Sequence, residues 1–118
     1  MQKNDSLIQT MLECVRTCEM CADACLHEEN VKMLSRCIKL DMDCADICTV
    51  GARLIQRNSE IAPKFIQMCA DVCKMCEEEC EKHQDMHKHC KMCADACRKC
   101  YNECKSYREE KVSDEEMR

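Results

Sequence analysis

The chain has 118 residues and a formal net charge of −5, and it contains sixteen cysteines but one glycine, one proline and no tryptophan. The length is typical of one domain. The interspersed charges leave no basic patch for nucleic acid, and no apolar run is long enough to span a membrane. Because glycine and proline are so few, long helices are favoured, and we predict an all-α domain over residues 1–110. Residues 111–118 are predicted to form a flexible charged tail.

Two helices are predicted in the first half of the chain. Helix 1 runs over about residues 5–28, with Asp5 or Ser6 as N-cap. Asn30 follows in a short turn and can cap helix 2, which is predicted over about residues 31–57. Helix 2 carries an apolar stripe at heptad spacing in addition to its main inward face, and this predicts a second neighbour, either an adjacent helix or another subunit. The stripe consists of Leu40, Ile47 and Leu54.

Two further helices follow a break at Asn58 and Ser59. Pro63 suits the first turn of helix 3, where no amide donor is needed, and this helix is predicted to end at about Lys82. Helix 4 is predicted over about residues 84–110. The pentapeptide Cys-Ala-Asp-x-Cys occurs once in each helix, and equivalent cysteines of helices 1 and 3, and of 2 and 4, are 55 and 56 residues apart. Two similar hairpins therefore predict an antiparallel four-helix bundle.

Cysteines occupy the predicted inner face of every helix. Three helices carry the spacing Cys-x3-Cys-x2-Cys-x3-Cys, and in helix 2 an aspartate replaces one thiol. At about 100° per residue these positions fall within an arc of roughly 60°, which a bundle normally fills with leucine. Because Leu, Ile, Val and Phe supply only 18 residues, we predict a core lined by thiols. The inner positions are Cys14, Cys18, Cys21, Cys25, Cys37, Asp41, Cys44, Cys48, Cys69, Cys73, Cys76, Cys80, Cys93, Cys97, Cys100 and Cys104.

Cysteine this dense often indicates a secreted disulfide scaffold. Residues 1–13, however, show neither an apolar signal-peptide segment nor a small-residue cleavage site. We therefore expect a cytoplasmic protein with reduced thiols. Cysteines three or four apart on one helix are also poorly oriented for disulfides, so metal binding is preferred to the scaffold.

The spacing indicates which metal is bound. Cβ atoms three or four residues apart on a helix are about 5–6 Å apart, so a pair such as Cys14 and Cys18 can bind one ion between its sulfurs. Two-coordinate thiolate binding suits copper(I), a soft ion, and about one copper(I) per cysteine would neutralise the thiolates of the core. We predict storage of multiple copper(I) ions per chain.

Three alternatives to copper storage stay open. Zinc prefers four thiolates per ion, so sixteen cysteines would hold only about four ions in a zinc or mixed thiophilic-metal buffer or sensor. An iron–sulfur protein is less favoured, because no cysteine precedes Pro63 as in the bacterial ferredoxin motif. A structural helical oligomer with reduced thiols is the third alternative. The sequence offers no nucleophile–base arrangement and no phosphate loop, and we do not predict an enzyme.

The two ends of the predicted bundle differ in composition. All four histidines map to one end, which we call the histidine end: His27, His83, His87 and His89. Helical projection places His83 and His89 on the cysteine face together with Met33 and Met86, and it places His27 and His87 off that face. Cys90 adds a further thiol at this end. We predict copper entry at this end, although histidines at loops are also common as solvated polar residues. The opposite, apolar end is predicted to contain Leu7, Met11, Ile55, Phe65, Ile66 and Tyr107.

An inward aspartate, four methionines and the aspartates of the repeats are interpreted structurally. Asp41 is interpreted as a lost thiol site that is solvated or hydrogen-bonded, with metal ligation as the alternative. The methionines that precede cysteines project off the cysteine face and are interpreted as packing or subunit-contact residues: Met20, Met68, Met75 and Met92. The aspartates of the pentapeptide repeats are predicted to be surface charges.

The repeated cysteine spacing, the Cys-Ala-Asp-x-Cys repeats and the histidines near the helix 3–4 turn closely resemble the bacterial copper storage proteins, over about residues 5–108. Because residues 1–13 show no signal-peptide features, the sequence resembles the cytosolic branch of that family. The resemblance implies a four-helix bundle that binds many copper(I) ions along its core and assembles as a homotetramer. It also implies that all core cysteines are ligands, with His83 and His89 near the end of the bundle where copper enters. Asp41 departs from the more cysteine-rich members.

Overall fold

A computed structural model describes the backbone of residues 4–116 and the side chains of residues 4–107. Regular structure in this part of the chain is entirely helical. The elements are α1 (Asp5–Leu26), a short 3₁₀ helix (Val31–Leu34), α2 (Ser35–Gln56), α3 (Ala62–Glu81) and α4 (Lys88–Glu116). The predicted all-α fold is confirmed.

The four long helices form an antiparallel bundle that measures 55 × 22 × 20 Å. Both α1 and α3 pack beside α2 and α4. The connections are short, which makes successive helices antiparallel. The end of α1, the start of α2, the end of α3 and the start of α4 therefore meet at the histidine end. None of the described helices carries the apolar stretch that a membrane crossing needs.

The helix boundaries differ from the prediction mainly at the histidine end. Residues 31–34 form a 3₁₀ helix, and the α-helical part of the second element begins at Ser35. The fourth helix begins at Lys88 and not at about residue 84. It continues to Glu116, so residues 111–116 of the predicted tail are helical, while residues 117–118 lie outside the described residues. The flexibility of this segment stays a prediction.

The predicted N-caps of the first two helices are wrong. Asn4 precedes α1, and its side chain makes no capping hydrogen bond. Ser6 is already helical, and its hydroxyl donates to Glu103 on α4 at 3.1 Å. Asn30 precedes the 3₁₀ helix and also makes no side-chain capping bond. These helix ends are held by tertiary packing and not by local capping.

Asn58 ends the second helix as expected, by adopting a left-handed backbone conformation with φ of 54°. The Ser59 amide donates to the Leu54 carbonyl at 2.9 Å, and the Asn58 amide donates to the Ile55 carbonyl at 3.0 Å. This pair of bonds is the Schellman motif, which satisfies carbonyls that a helix end otherwise leaves unpaired. Pro63 lies in the first turn of α3, also as predicted.

The interior of the bundle follows the predicted pattern. The alanines that follow a cysteine in the pentapeptide repeats are buried, and the neighbouring aspartates are exposed. At the apolar end, Leu7, Met11, Ile55 and Ile66 are buried, and Phe65 and Tyr107 pack partly buried against them. The second stripe of α2 is covered within the chain, since Leu40 and Leu54 are buried and Ile47 is half-buried. An adjacent helix therefore accounts for it.

Gly51 has a packing role that the sequence pattern did not reveal. It lies on the inner face of α2, three residues after Cys48. A Cβ atom at this position would lie 2.6 Å from Met11 Cε and 2.7 Å from Cys69 Sγ. Since real Cβ atoms are not found this close to neighbours, glycine leaves the space that these two side chains fill.

Candidate metal centre

All sixteen cysteines are in the core, and each is at most 1% exposed. None is in a disulfide. The helical bundle thus brings every predicted cysteine to one continuous interior, including Cys90, and the disulfide scaffold considered for the sequence is not formed.

Sulfurs four residues apart on one helix lie close together, as the spacing predicted. The Sγ atoms of Cys14 and Cys18 are 4.0 Å apart, and those of Cys44 and Cys48 are 3.9 Å apart. The pairs Cys21–Cys25 and Cys100–Cys104 are both separated by 4.0 Å. Two metal–sulfur bonds of about 2.3 Å can bridge such distances.

Sulfurs on neighbouring helices approach one another even more closely. Cys37 on α2 and Cys80 on α3 are separated by 3.4 Å, and Cys48 and Cys73 by 3.6 Å. Sulfurs of α1 and α4 are also close, since the Cys18 and Cys93 sulfurs are 3.6 Å apart. Sulfur pairs on neighbouring helices are therefore close enough to bind an ion between them, as the pairs within one helix are.

These contacts merge into groups of four donors whose ligand atoms all lie within 4.8 Å of one another. The groups share members, so the core is a continuous array of sites and not a set of isolated ones. The groups that contain only cysteine include Cys14, Cys44, Cys48 and Cys73; Cys14, Cys18, Cys44 and Cys97; Cys18, Cys76, Cys93 and Cys97; and Cys21, Cys25, Cys37 and Cys90.

Asp41 lies in the middle of this array and is completely buried. Its Oδ1 accepts hydrogen bonds from the thiols of Cys76 and Cys93, both at 3.1 Å. Burial raises the pKa of Asp41 to about 12, and the neighbouring thiols add to this shift. The carboxyl group is therefore protonated in the metal-free protein. Of the two interpretations of a lost thiol site, hydrogen bonding is supported and solvation is wrong.

The thiol of Cys25, near the histidine end, is also held in its neutral form. Burial raises the pKa of Cys25 to about 11, because removing water destabilises the thiolate, and Cys37 adds repulsion. A core of this density cannot carry many thiolates unless cations compensate them.

His83 lies at the histidine end with a side chain only 17% exposed, and its Nε2 is 3.0 Å from Glu79 Oε2. Glu79 is nearly buried and also accepts a 2.6 Å hydrogen bond from Arg36 on α2. Burial raises the pKa of Glu79, but hydrogen bonds from Arg36, His83 and Lys82 outweigh burial and hold its pKa below the usual range. This carboxylate joins α2 to α3 beside the core.

His87 is the histidine that the helical projection misplaced. Its side chain is 11% exposed, compared with 23% for His89, and the two rings stack with centroids 5.2 Å apart. Its Nδ1 lies 3.0 Å from Glu28 Oε2. The Nε2 atoms of both rings are buried and have no hydrogen-bond partner in the described part of the chain. The projection failed because α4 begins only after His87.

The remaining predictions for this end divide into one correction and one confirmation. Met33 and Met86 are 71% and 78% exposed, so their predicted place on the cysteine face is wrong. They lie in the 3₁₀ helix and in the turn before α4, where an α-helical projection does not apply. His27 lies off the cysteine face as predicted, with its side chain 78% exposed.

The model of the copper storage protein family matches residues 1–109. The chain belongs to the copper storage protein family.

Individual members of the family show how far the similarity extends. A cytosolic copper storage protein from Streptomyces lividans, in a structure with five coppers, is 42% identical, with a TM-score of 0.85 over 87% of this chain and 89% of that one. The Cu(I)-bound copper storage protein BsCsp3 of Bacillus subtilis is 38% identical, with a TM-score of 0.84 over 89% of this chain and 97% of that one. The uncharacterized cysteine-rich protein YhjQ of Bacillus subtilis is 38% identical over 89 residues, which are 75% of this chain and 81% of YhjQ.

Proposed function

We propose that this protein stores copper(I) in the cytosol and binds many ions per chain through the thiolates of its sixteen core cysteines. The observation that carries this proposal is the continuous array of buried sulfurs. Sulfur–sulfur distances of 3.4–4.0 Å occur both within helices and between them. The ions of the two similar storage proteins, five coppers in one and Cu(I) in the other, agree with this cargo.

The soft thiolate donors determine the oxidation state and the number of ions. Copper(I) prefers thiolate and accepts two or three ligands, so neighbouring ions can share sulfurs. Each ion that enters displaces thiol protons and adds one positive charge. At about one copper per cysteine the core becomes nearly neutral, so a large load is favoured electrostatically in an interior from which water is excluded.

Copper enters and leaves at the histidine end. The Nε2 atoms of His87 and His89 are buried and make no hydrogen bond in the described part of the chain, and imidazole nitrogen is a donor of the kind that binds copper. Together with His83 they accept an ion before it passes to the thiols of Cys25 and Cys90, whose sulfurs are 4.0 Å apart. Among the described residues, the apolar end contains no histidine, and buried side chains such as Leu7, Ile55 and Ile66 fill it.

The cell keeps these thiols reduced, which copper(I) storage requires. The cytosol provides that environment, and the similar Streptomyces protein is described as cytosolic. We further propose a homotetramer, in which exposed methionines of the outer helix faces meet other subunits. Met20, Met68 and Met92 are each at least 50% exposed in the single chain. The protein acts as a copper store and not as a catalyst.

To test this function, the reduced protein is mixed with equal amounts of copper(I) and zinc under anaerobic conditions, and the bound metal is measured after desalting. We expect copper to exceed zinc by at least about tenfold, because copper(I) is the softer ion and is satisfied by two or three thiolates, whereas zinc requires four ligands. Zinc bound at about four ions per chain, with no excess of copper, would instead support the zinc buffer. Binding of neither metal would contradict both functions.

A further inference from the structure

One group of four possible ligands differs from the all-cysteine groups, because a carboxylate replaces one sulfur. We call this group the mixed site; its members are Cys21, Cys37, Asp41 and Cys80. The four residues come from α1, α2 and α3, and each is at most 1% exposed. Their ligand atoms lie within 4.8 Å of one another.

The distances in the mixed site match a tetrahedron. Zinc–sulfur and zinc–oxygen bonds of about 2.3 and 2.1 Å give tetrahedral edges of about 3.8 Å between sulfurs and about 3.6 Å between sulfur and oxygen. The sulfurs of Cys37 and Cys80 are 3.4 Å apart. Asp41 Oδ1 lies 3.6 Å from the Cys80 sulfur, and the other carboxylate oxygen, Oδ2, lies 4.0 Å from the Cys37 sulfur. Because all four ligand atoms lie within 4.8 Å of one another, shifts of up to about 1 Å would complete the coordination sphere.

The carboxylate is also oriented by groups outside the mixed site. The Cys76 and Cys93 thiols donate to the same oxygen, Oδ1. Hydrogen bonds to a ligating carboxylate fix its direction and are a regular feature of metal sites in proteins. Asp41 is thus held toward the sulfurs by contacts from α3 and α4, and no solvent competes for it.

The donor set selects the class of ion. Copper(I) is soft and prefers sulfur, whereas zinc is of intermediate softness and accepts carboxylate oxygen in addition to thiolate. With three thiolates and one carboxylate, a divalent ion leaves a net charge of about −2, and copper(I) leaves about −3. We propose that the mixed site binds one divalent ion of the zinc class, in a core whose other sites hold copper(I).

Cobalt(II) is the probe for this site, because tetrahedral cobalt with thiolate ligands has intense visible bands and zinc displaces it. Reduced, copper-free protein is titrated anaerobically with cobalt and then with zinc. We expect the first equivalent per chain to bind tightly with tetrahedral bands. In Asp41→Asn this first equivalent should bind at least about tenfold more weakly. Asp46→Asn, which changes an exposed aspartate of the same helix, should bind it as the natural chain does.

Two results would overturn the inference. One is equal binding of the first cobalt equivalent by the natural chain and Asp41→Asn, which would place the ion among thiolates alone. The other is no tight cobalt binding by the natural chain. If Asp41→Asn does not fold, Asp41→Cys replaces oxygen by sulfur at the same position and must change the cobalt spectrum. An unchanged spectrum would count against the site.

Copper(I) capacity is measured in parallel, because the mixed site shares thiols with the proposed copper store. A chain that takes up copper but no cobalt contradicts only the divalent site. A chain that binds cobalt in an Asp41-dependent manner but takes up little copper contradicts only the storage function. The two proposals therefore fail separately.

Discussion

The Sγ atoms of Cys37 and Cys80 lie 3.4 Å apart, although 43 residues separate them in the chain. Cys37 is in the first turn of α2 and Cys80 is in the last turn of α3, so this contact depends on the antiparallel arrangement of the two helices. It is shorter than the contact of 4.0 Å between Cys21 and Cys25 on a single helix. Sites between helices therefore contribute to the metal centre together with the intrahelical pairs.

Copper capacity should reflect this pairing. Cys37→Ser removes the nearest sulfur from Cys80. In zinc-free protein, where copper(I) can occupy the mixed site, we expect this change to lower the load by about one ion per chain, as Cys80→Ser does. The double variant should lose little more than either single one, because both act on the same ion. Combining Cys37→Ser with Cys104→Ser, at the opposite end, should give additive losses. Additive losses for Cys37 and Cys80, measured by copper titration, would contradict a shared ion.

The histidine end should control the rate of loading more than its extent. A variant with His83, His87 and His89 all replaced by alanine should load copper at least about tenfold more slowly, with nearly unchanged capacity, since the thiols hold the cargo. His27→Ala is the matched control, because that side chain is exposed and bonds to its own helix. Stopped-flow mixing with a copper(I) chelate measures the rate. Equal rates for the triple variant and the control would rule out this entrance.

Stability should depend on pH through Asp41. Its pKa is about 12 in the folded chain and about 3.9 in an unfolded one, so folding takes up a proton above about pH 4. The free energy of unfolding then falls as the pH rises, by up to about 1.4 kcal/mol per unit. Asp41→Asn lacks this proton uptake and should gain stability relative to the natural chain between about pH 4 and 8. Urea unfolding of both reduced, metal-free proteins measures the difference, and a constant difference would contradict a buried neutral carboxyl.

Gly51→Ala tests the close packing at the apolar end. In an ordinary helix this substitution stabilises by about 1 kcal/mol. Here the added Cβ would meet Met11 and Cys69 at 2.6 and 2.7 Å, and overpacking of a core costs about 1–3 kcal/mol. We expect a net loss of about 1 kcal/mol in urea unfolding, at the low end because the Met11 side chain is flexible. A gain in stability would mean that the interior has room for the methyl group.

Much of the fold was predictable because one pattern, the cysteine spacing, determines both the helical faces and the core. The repeated Cys-x3-Cys-x2-Cys-x3-Cys spacing predicted which side of each helix is buried, and the burial of its fifteen cysteines and Asp41 confirms it. The same pattern placed Asp41 inside but could not identify its partners, because Cys76 and Cys93 belong to other helices. Distances between helices depend on packing that no local periodicity records.

The errors have a common physical origin at the histidine end. Helical projection assumes regular α-helix, whereas Met33 lies in a 3₁₀ helix and Met86 in a turn. His87 precedes the first residue of α4, so its ring turns toward Glu28 of the opposite hairpin. Gly51 was missed for a different reason, since the need for a small residue arises only where Met11 and Cys69 approach α2.

The most direct test of the account is an anaerobic titration of the reduced protein with copper(I) against a competing chromogenic chelator. We predict tight uptake of on the order of ten or more copper(I) ions per chain, because thiolates shared between neighbouring ions fill the core. Saturation at about four ions or fewer, with zinc binding at the same ratio, would indicate separate tetrahedral sites and contradict copper storage.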